Sequence, residues 1–397
     1  MDRETVTSGA AQRFGGLAEL TGELAELDAR GLRRFRRTLE TAQGPRVTVD
    51  GREYVAFCSN DYLGLAADPR LVAAAQEGAA RYGVGSGASH LVVGHSGAHE
   101  ALEAALAQFV GQPRALLFST GYMANIGIVT ALAGRDDAVF ADRLNHASLN
   151  DAVSLSRAEF KRYAHCDVTA LERLLAQSRA RRRIVVTDAV FSMDGDVAPL
   201  AQILALCERQ DAWLVVDDAH GFGVLGPQGS GTLAHLGLAS ERIVYMATLG
   251  KAAGVYGAFV AAQPEIVDVV LQRARTYIYT TATPPLLAHA LLTALDIVRA
   301  EDWRWDHLQQ LIAVLRAGLR SAPWRLLASD TSIQPLIVGD NMQALALAER
   351  LAGRGLLVPA IRPPTVPAGT ARLRISLSAA HSAGDVERLA RTLCELA

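Results

Sequence analysis

Cysteine is scarce in this chain. The four present, Cys58, Cys166, Cys207 and Cys394, lie far apart and form no C-x-x-C pair. That spacing excludes a zinc site or disulfide framework built on paired cysteines and fits a reducing compartment. Long apolar runs are missing too: the stretch 286–298 carries His289 and Asp296 and is too short to span a bilayer. The opening Met1-Asp2-Arg3-Glu4 has no apolar signal region. Net charge is close to balance, −2 over 397 residues, so nothing draws the chain toward nucleic acid or an anionic membrane. Two local exceptions, Arg33, Arg34, Arg36 and Arg37, and Arg181 to Arg183, read as solvated helix faces or ends. The expectation is a soluble cytoplasmic protein with no metal site.

What is present points to an α/β protein. Apolar runs bounded by polar residues or glycine fall at 115–118, 138–140, 184–187, 213–216, 243–246 and 258–261. Between most of them lie segments of helical period, such as 98–110 and 200–210. Runs of this kind are strands buried on both faces, hence a mainly parallel sheet wrapped by helices. Residues 17–40 mix Leu and Ala with Glu and Arg at helical spacing, and a short β segment follows at 46–57. Beyond Pro284-Pro285 come a helical stretch to about 319, a strand at 333–338, a helix near 342–354, a strand at 372–377 and a closing helix. The expected organisation is an N-terminal helical arm over 1–50, a large domain over 51–285 and a smaller α+β domain over 286–397.

The chemistry gathers at strand ends. Trp213-Leu-Val-Val-Asp217-Asp218-Ala219-His220-Gly221 runs from an apolar strand into two acids and a histidine. In open α/β sheets the carboxyl ends of strands face the ligand crevice. Tyr245-Met-Ala-Thr248-Leu-Gly250-Lys251-Ala-Ala-Gly254 ends another strand in small residues around one lysine. Burial lowers the pKa of such an amine and makes it a natural Schiff-base former. A strand-end Asp with a strand-end Lys suits pyridoxal 5′-phosphate (PLP), whose pyridine nitrogen needs a carboxylate to stay protonated. At an effective dielectric of 20 and a separation of about 3 Å that pair is worth roughly 5–6 kcal/mol. Phe118-Ser119-Thr120-Gly121-Tyr122 ends a strand and opens a helix, where the Gly121 and Tyr122 amides suit a phosphate. His146, in Asp142-Arg-Leu-Asn-His146-Ala-Ser148, is positioned to stack on the ring, and Ser192 to donate to its 3′-oxygen.

In its motifs the chain resembles the α-oxoamine synthases of the fold-type I PLP enzymes, most closely their oxononanoate-forming branch. The residues that carry this are 59–64, 85–89, 142–148, 191–196, 216–221, 248–251 and 360–369, in the family's order over nearly the whole chain. The runs Ile333-Gln-Pro-Leu-Ile-Val-Gly-Asp-Asn341 and Arg362–Gly369 mark the branch. The resemblance implies an aminotransferase-like fold with a mainly parallel seven-stranded sheet, and a homodimer with its site at the subunit interface. The implied reaction is decarboxylative condensation of L-alanine with pimeloyl-CoA or pimeloyl-acyl carrier protein in biotin biosynthesis. Lys251 would carry PLP and act as base, Asp217 pair with the pyridinium and His146 stack on the ring. Ser192 and His220 would contact the 3′-oxygen, with Thr248 nearby. Arg362 would clamp the amino-acid carboxylate, with Thr365 beside the substrate. Arg36 would contact the acyl substrate, Arg34 being the alternative because a small gap shifts the spacing to Ser59.

Three rival readings remain. A sister synthase would use glycine and a short acyl-CoA, as glycine C-acetyltransferase does. Gly221-Phe-Gly223-Val-Leu-Gly226 fits G-x-G-x-x-G, but polar and small residues separate it from its strand and Pro227 follows, unlike a dinucleotide fingerprint. A ligand-sensing regulator would need a DNA-binding module, and no helix-turn-helix pattern precedes the core.

Overall fold

A computed structural model describes residues 16–397. Seven strands form one sheet in the spatial order Arg114–Phe118, Ala258–Ala262, Ile243–Thr248, Ala212–Asp217, Arg183–Asp188, Ala138–Asp142, Glu159–Tyr163. All neighbours are parallel except Ala258–Ala262, which is antiparallel to both of its partners. The period of two along each strand divides its side chains between two cores. Val139, Ile184, Val186, Val215, Val244 and Met246 enter one, while Phe140, Val185, Leu214, Val216, Tyr245 and Phe259 enter the other. Both faces are covered, so the interior strands read as unbroken apolar runs. The strand Glu159–Tyr163 escapes that rule. It is an edge strand of sequence Glu-Phe-Lys-Arg-Tyr, and its charges, which hide it from a hydrophobicity reading, also protect the edge.

A second, antiparallel sheet has the order Arg325–Leu326, Ile333–Gly339, Ala371–Ser376, Ala360–Ile361. Its Leu336, Leu373 and Ile375 join the same core as Phe191 and Val216 of the large sheet. A hairpin, Arg46–Val49 and Arg52–Ala56, turns at Asp50 (φ 49°) and Gly51 (φ 72°), the left-handed pair a two-residue hairpin favours. Its second strand pairs in parallel with Leu356–Leu357.

Two helical expectations change. The N-terminal helix covers Leu17–Ala29, not 17–40, because Gly31 takes φ 60° and the crowded Arg33, Arg34, Arg36 and Arg37 repel one another at helical spacing. The stretch after Pro284 is two helices, Pro285–Ala300 and Trp303–Gly318, separated at Glu301-Asp302.

Parallel pairing has one consequence for chemistry. Asp188 lies in register with Asp217, and Asp217 with Met246, so Asp142, Asp188, Asp217 and Thr248 all end their strands at one edge of the sheet. No described helix is long and apolar enough to cross a membrane.

Candidate active site

At that edge a cavity of ≈ 200 Å³ is lined by Gly121, Tyr122, His146, Asp188, Asp217, His220, Thr248 and Lys251, among others. Seven of the residues singled out from sequence therefore meet in one place. Wider hollows of ≈ 640 and ≈ 610 Å³ lie elsewhere, and neither is lined by a lysine.

Lys251 Nζ is 2.9 Å from His220 Nε2, and His220 Nδ1 is 2.7 Å from Tyr62 Oη. The hydroxyl of Tyr62 donates to Asn60 Oδ1 at 3.1 Å, and that same Oδ1 accepts from Arg374 at 3.2 Å. With its single proton given to Asn60, the Tyr62 oxygen accepts from His220 Nδ1–H. His220 Nε2 is then the acceptor facing the lysine. Burial, reinforced by the charges of Lys251 and Arg374, pushes His220 well below its usual pKa and keeps it neutral. Burial also lowers Lys251 to about 8, against the pull of Asp217 and with help from Arg374.

The paired acids divide their work. Asp217 faces the cavity and accepts from Asn125 Nδ2 at 2.7 Å and from the Ala219 amide at 3.0 Å, which leaves lone pairs free for a ligand N–H. Asp218 points the other way and is consumed by Thr232 and Tyr245. Gly221 closes over it: a Cβ there would lie 2.1 Å from Asp218 Oδ1. The stretch 221–226 is thus a packed turn, followed by the short 3-10 helix Pro227–Gly229, and opens no helix for a dinucleotide.

His146 caps the helix Ala147–Ser156, with Nδ1 2.7 Å from Ser148 Oγ, and its amide donates to Asp188 Oδ2 at 2.7 Å. Burial lowers its pKa. Burial, then the neighbouring Asp217 carboxylate, raises Asp188 well above the carboxylate range and favours its protonated form. Thr120 caps the helix Gly121–Leu132 through the Met123 amide, so the first-turn amides of Gly121 and Tyr122 have no helical acceptor. Thr248 Oγ1 donates to the Gly257 carbonyl at 2.9 Å.

The remaining expected residues lie outside this lining. Ser192 meets the site through its carbonyl, which accepts from Arg374 Nε at 2.6 Å. Arg362 and Thr365 line a separate ≈ 70 Å³ hollow with Arg34. Arg362 donates to the Gly31 carbonyl, and Arg34 reaches Thr365 Oγ1 at 3.4 Å. Arg36 is exposed and does not line that hollow. Arg34, the alternative left open by the sequence, is the N-terminal arginine the fold brings to Arg362.

Sequence reasoning missed Arg374, Tyr62, Asn125 and Asp188 as site residues. Arg374 is only 5 % exposed, yet it has no carboxylate partner among the described residues. Its signal was available: Ala371-Arg-Leu-Arg-Ile-Ser376 alternates apolar and charged residues on a strand buried throughout.

The arrangement satisfies what PLP requires. A buried amine and a carboxylate with free lone pairs line one cavity, the imidazole of His146 stands beside them, and a helix N-terminus supplies unused amides for a phosphate. Lys251 would hold its aldehyde carbon, Asp217 its pyridine nitrogen, and Gly121 and Tyr122 its phosphate.

Comparison with known proteins agrees. The aminotransferase class I and II family matches residues 52–393. The 8-amino-7-oxononanoate synthase of Nitrosospira multiformis is 63% identical over 92% of this chain and 93% of its own length. That of Nitrosomonas europaea is 62% identical over 96% and 99%. Among solved structures, a serine palmitoyltransferase from S. paucimobilis with bound PLP–myriocin aldimine superimposes with a TM-score of 0.90, at 30% identity, covering 95% of this chain and 96% of that one. An 8-amino-7-oxononanoate synthase from Francisella tularensis gives 0.75 at 29% identity, covering 86% and 97%. By fold, by the residues gathered at its sheet edge and by these likenesses, the chain belongs to the 8-amino-7-oxononanoate synthases within the aminotransferase class I and II family.

Proposed function

We propose that this chain is a PLP-dependent acyltransferase that condenses L-alanine with a pimeloyl thioester, on CoA or acyl carrier protein, releasing CO2 and the carrier thiol. The observation that carries the reading is the buried Lys251 amine, 2.9 Å from a neutral His220 and sharing one cavity with Asp217. When bound, PLP supplies an electrophilic carbon for the amino group and a sink for the charge left at the α-carbon.

The protein's part follows from its own groups. Asp217 accepts the ring N–H and holds that proton. Lys251, whose pKa is lowered to about 8, is partly the free amine at neutral pH and removes the α-proton of alanine, later returning one to the product. His220 accepts one Lys251 N–H and so aims the remaining lone pair. Arg374 is the uncompensated guanidinium whose charge Lys251 feels, which supports it as the group that holds the alanine carboxylate. The clamp first read at Arg362 is then assigned to Arg374 instead. Arg362, Arg34 and Thr365 together support a contact to the acyl substrate, with Arg36 further along the same segment. Ser192 and Thr248 frame the cofactor. The working form is proposed to be a homodimer in the cytoplasm.

The test is direct. Purified protein is incubated with PLP, alanine and pimeloyl-CoA or pimeloyl-acyl carrier protein, with glycine and acetyl-CoA as a parallel arm. The expected product, identified by mass, is 8-amino-7-oxononanoate. Turnover of the glycine arm alone would move the assignment to the sister synthase.

A further inference from the structure

His165 plays no part in the chemistry above, yet it joins the turn before His146 to the segment that carries Ser192. Its Nδ1 is 3.1 Å from Asp142 Oδ1 and its Nε2 is 2.8 Å from Asp196 Oδ2, with the ring edge-on to Phe191 at 4.4 Å between centroids. Asp142 is 1 % exposed and ends the strand Ala138–Asp142, next to the edge of the sheet. Its carboxylate also accepts the Leu144 amide at 2.8 Å and the Cys166 amide at 2.7 Å. It thereby shapes the turn that delivers His146 and holds Cys166 at φ 55°, a conformation side chains other than glycine's adopt reluctantly. Asp196, on the other side, closes the segment 190–197: Phe191 N donates to the Asp196 carbonyl at 2.9 Å, and Val190 bridges Val197. That segment carries Ser192, on whose carbonyl Arg374 rests.

We propose that His165 is a positioning residue: by bridging Asp142 and Asp196 it fixes the spacing between the turn that carries His146 and the segment that seats Arg374. The proposal rests on the reading of His146 and Arg374 given above, but its first test does not depend on turnover.

Burial alone would lower the imidazole pKa, but hydrogen bonds to Asp142 and Asp196 outweigh it and hold His165 up to about 12. The groups facing the ring are Asp142, Asp196 and Cys166, with Tyr163 beside Asp142. Both carboxylates are thus neutralised by one cation. Without it, the buried Asp142 would face Asp196 with no cation between them, and their repulsion would force the two segments apart.

Two measurements test this. In the holoenzyme, labelled with isotopic histidine, the His165 ring resonance should stay at its imidazolium position from about pH 5 to about pH 9. Titration near the ordinary histidine value would overturn the bridge, whatever the enzyme's reaction. In the second, H165Q and the double variant D196N/H165Q are compared for thermal stability, PLP binding and alanine α-proton exchange. H165Q should exchange about tenfold more slowly, and D196N/H165Q, which leaves Asp142 with both of its backbone amides and no facing carboxylate, should recover to within about threefold. If H165Q fails to fold, D196N alone, which cuts only the more exposed link, should slow exchange in the same direction by less. Parent-like exchange in H165Q or D196N, or a double variant no better than H165Q, would sink the proposal.

Discussion

Lys251, Asp217 and Arg374 make demands on one another that single substitutions can separate. Lys251→Ala removes both the attachment point and the base, so we expect a loss of at least about 10³-fold in kcat and no borohydride-fixable cofactor. Residual turnover at the parent rate would reject the assignment. Asp217→Asn keeps the shape but gives up the charge and one of the two acceptor oxygens. Alanine α-proton exchange should fall by about 10²-fold or more while PLP affinity changes far less. The two arginines are distinguished by KM. Arg374→Leu should raise KM for alanine by about tenfold or more, and Arg362→Leu should act mainly on the thioester. The opposite pattern would restore Arg362 as the carboxylate clamp. Lys251 also has a pH signature. Its ammonium form is disfavoured by burial, so the free amine appears as pH rises through about 8, earlier than for an ordinary lysine. In apoprotein, the rate of Lys251 acylation measured by peptide mass should reach half its maximum near that pH.

At the scale of elements, the helix Gly121–Leu132 aims its first-turn amides at the cavity because Gly127 lets it approach its neighbours. A Cβ there would lie 2.8 Å from Thr276 Oγ1 and 2.9 Å from Phe118 Cε1. Gly127→Ala should therefore cost about 1–3 kcal/mol by overpacking and weaken PLP binding through a displaced helix end. Calorimetry and cofactor titration check both. The interior strands were legible in sequence because each is buried on both faces, and Asp217, Lys251 and His146 were legible because each ends such a strand or lies within a turn of its end. The strand Glu159–Tyr163 was not, since an edge may be charged, and the end of the first helix was not, since Leu and Arg continue past the residues that stay helical. Arg374 stayed hidden because its partners Ser192, Asn60 and Tyr62 are distant in sequence. Only the docking of the second sheet brings it near Lys251.

For the whole molecule, one core runs from the large sheet into the antiparallel sheet, through Phe191, Val216, Leu336, Leu373 and Ile375. The hairpin near residue 50 pairs with Leu356–Leu357, and Arg304 ties the Leu63 carbonyl to Asp68 and Glu301. The segments near residues 50, 65, 300 and 356 are thus stitched into one body, and apoprotein should melt in a single transition by calorimetry. PLP at 100 times its Kd should add about 2.7 kcal/mol. Two well-separated transitions would show the sheets to be energetically independent. One further consequence follows from Arg374. Its guanidinium is sequestered from water with only neutral oxygens around it. Such a seat solicits an anion of any kind, so propionate, which has alanine's carboxylate without its amine, should inhibit competitively against alanine. The Arg374→Leu enzyme should be indifferent to it.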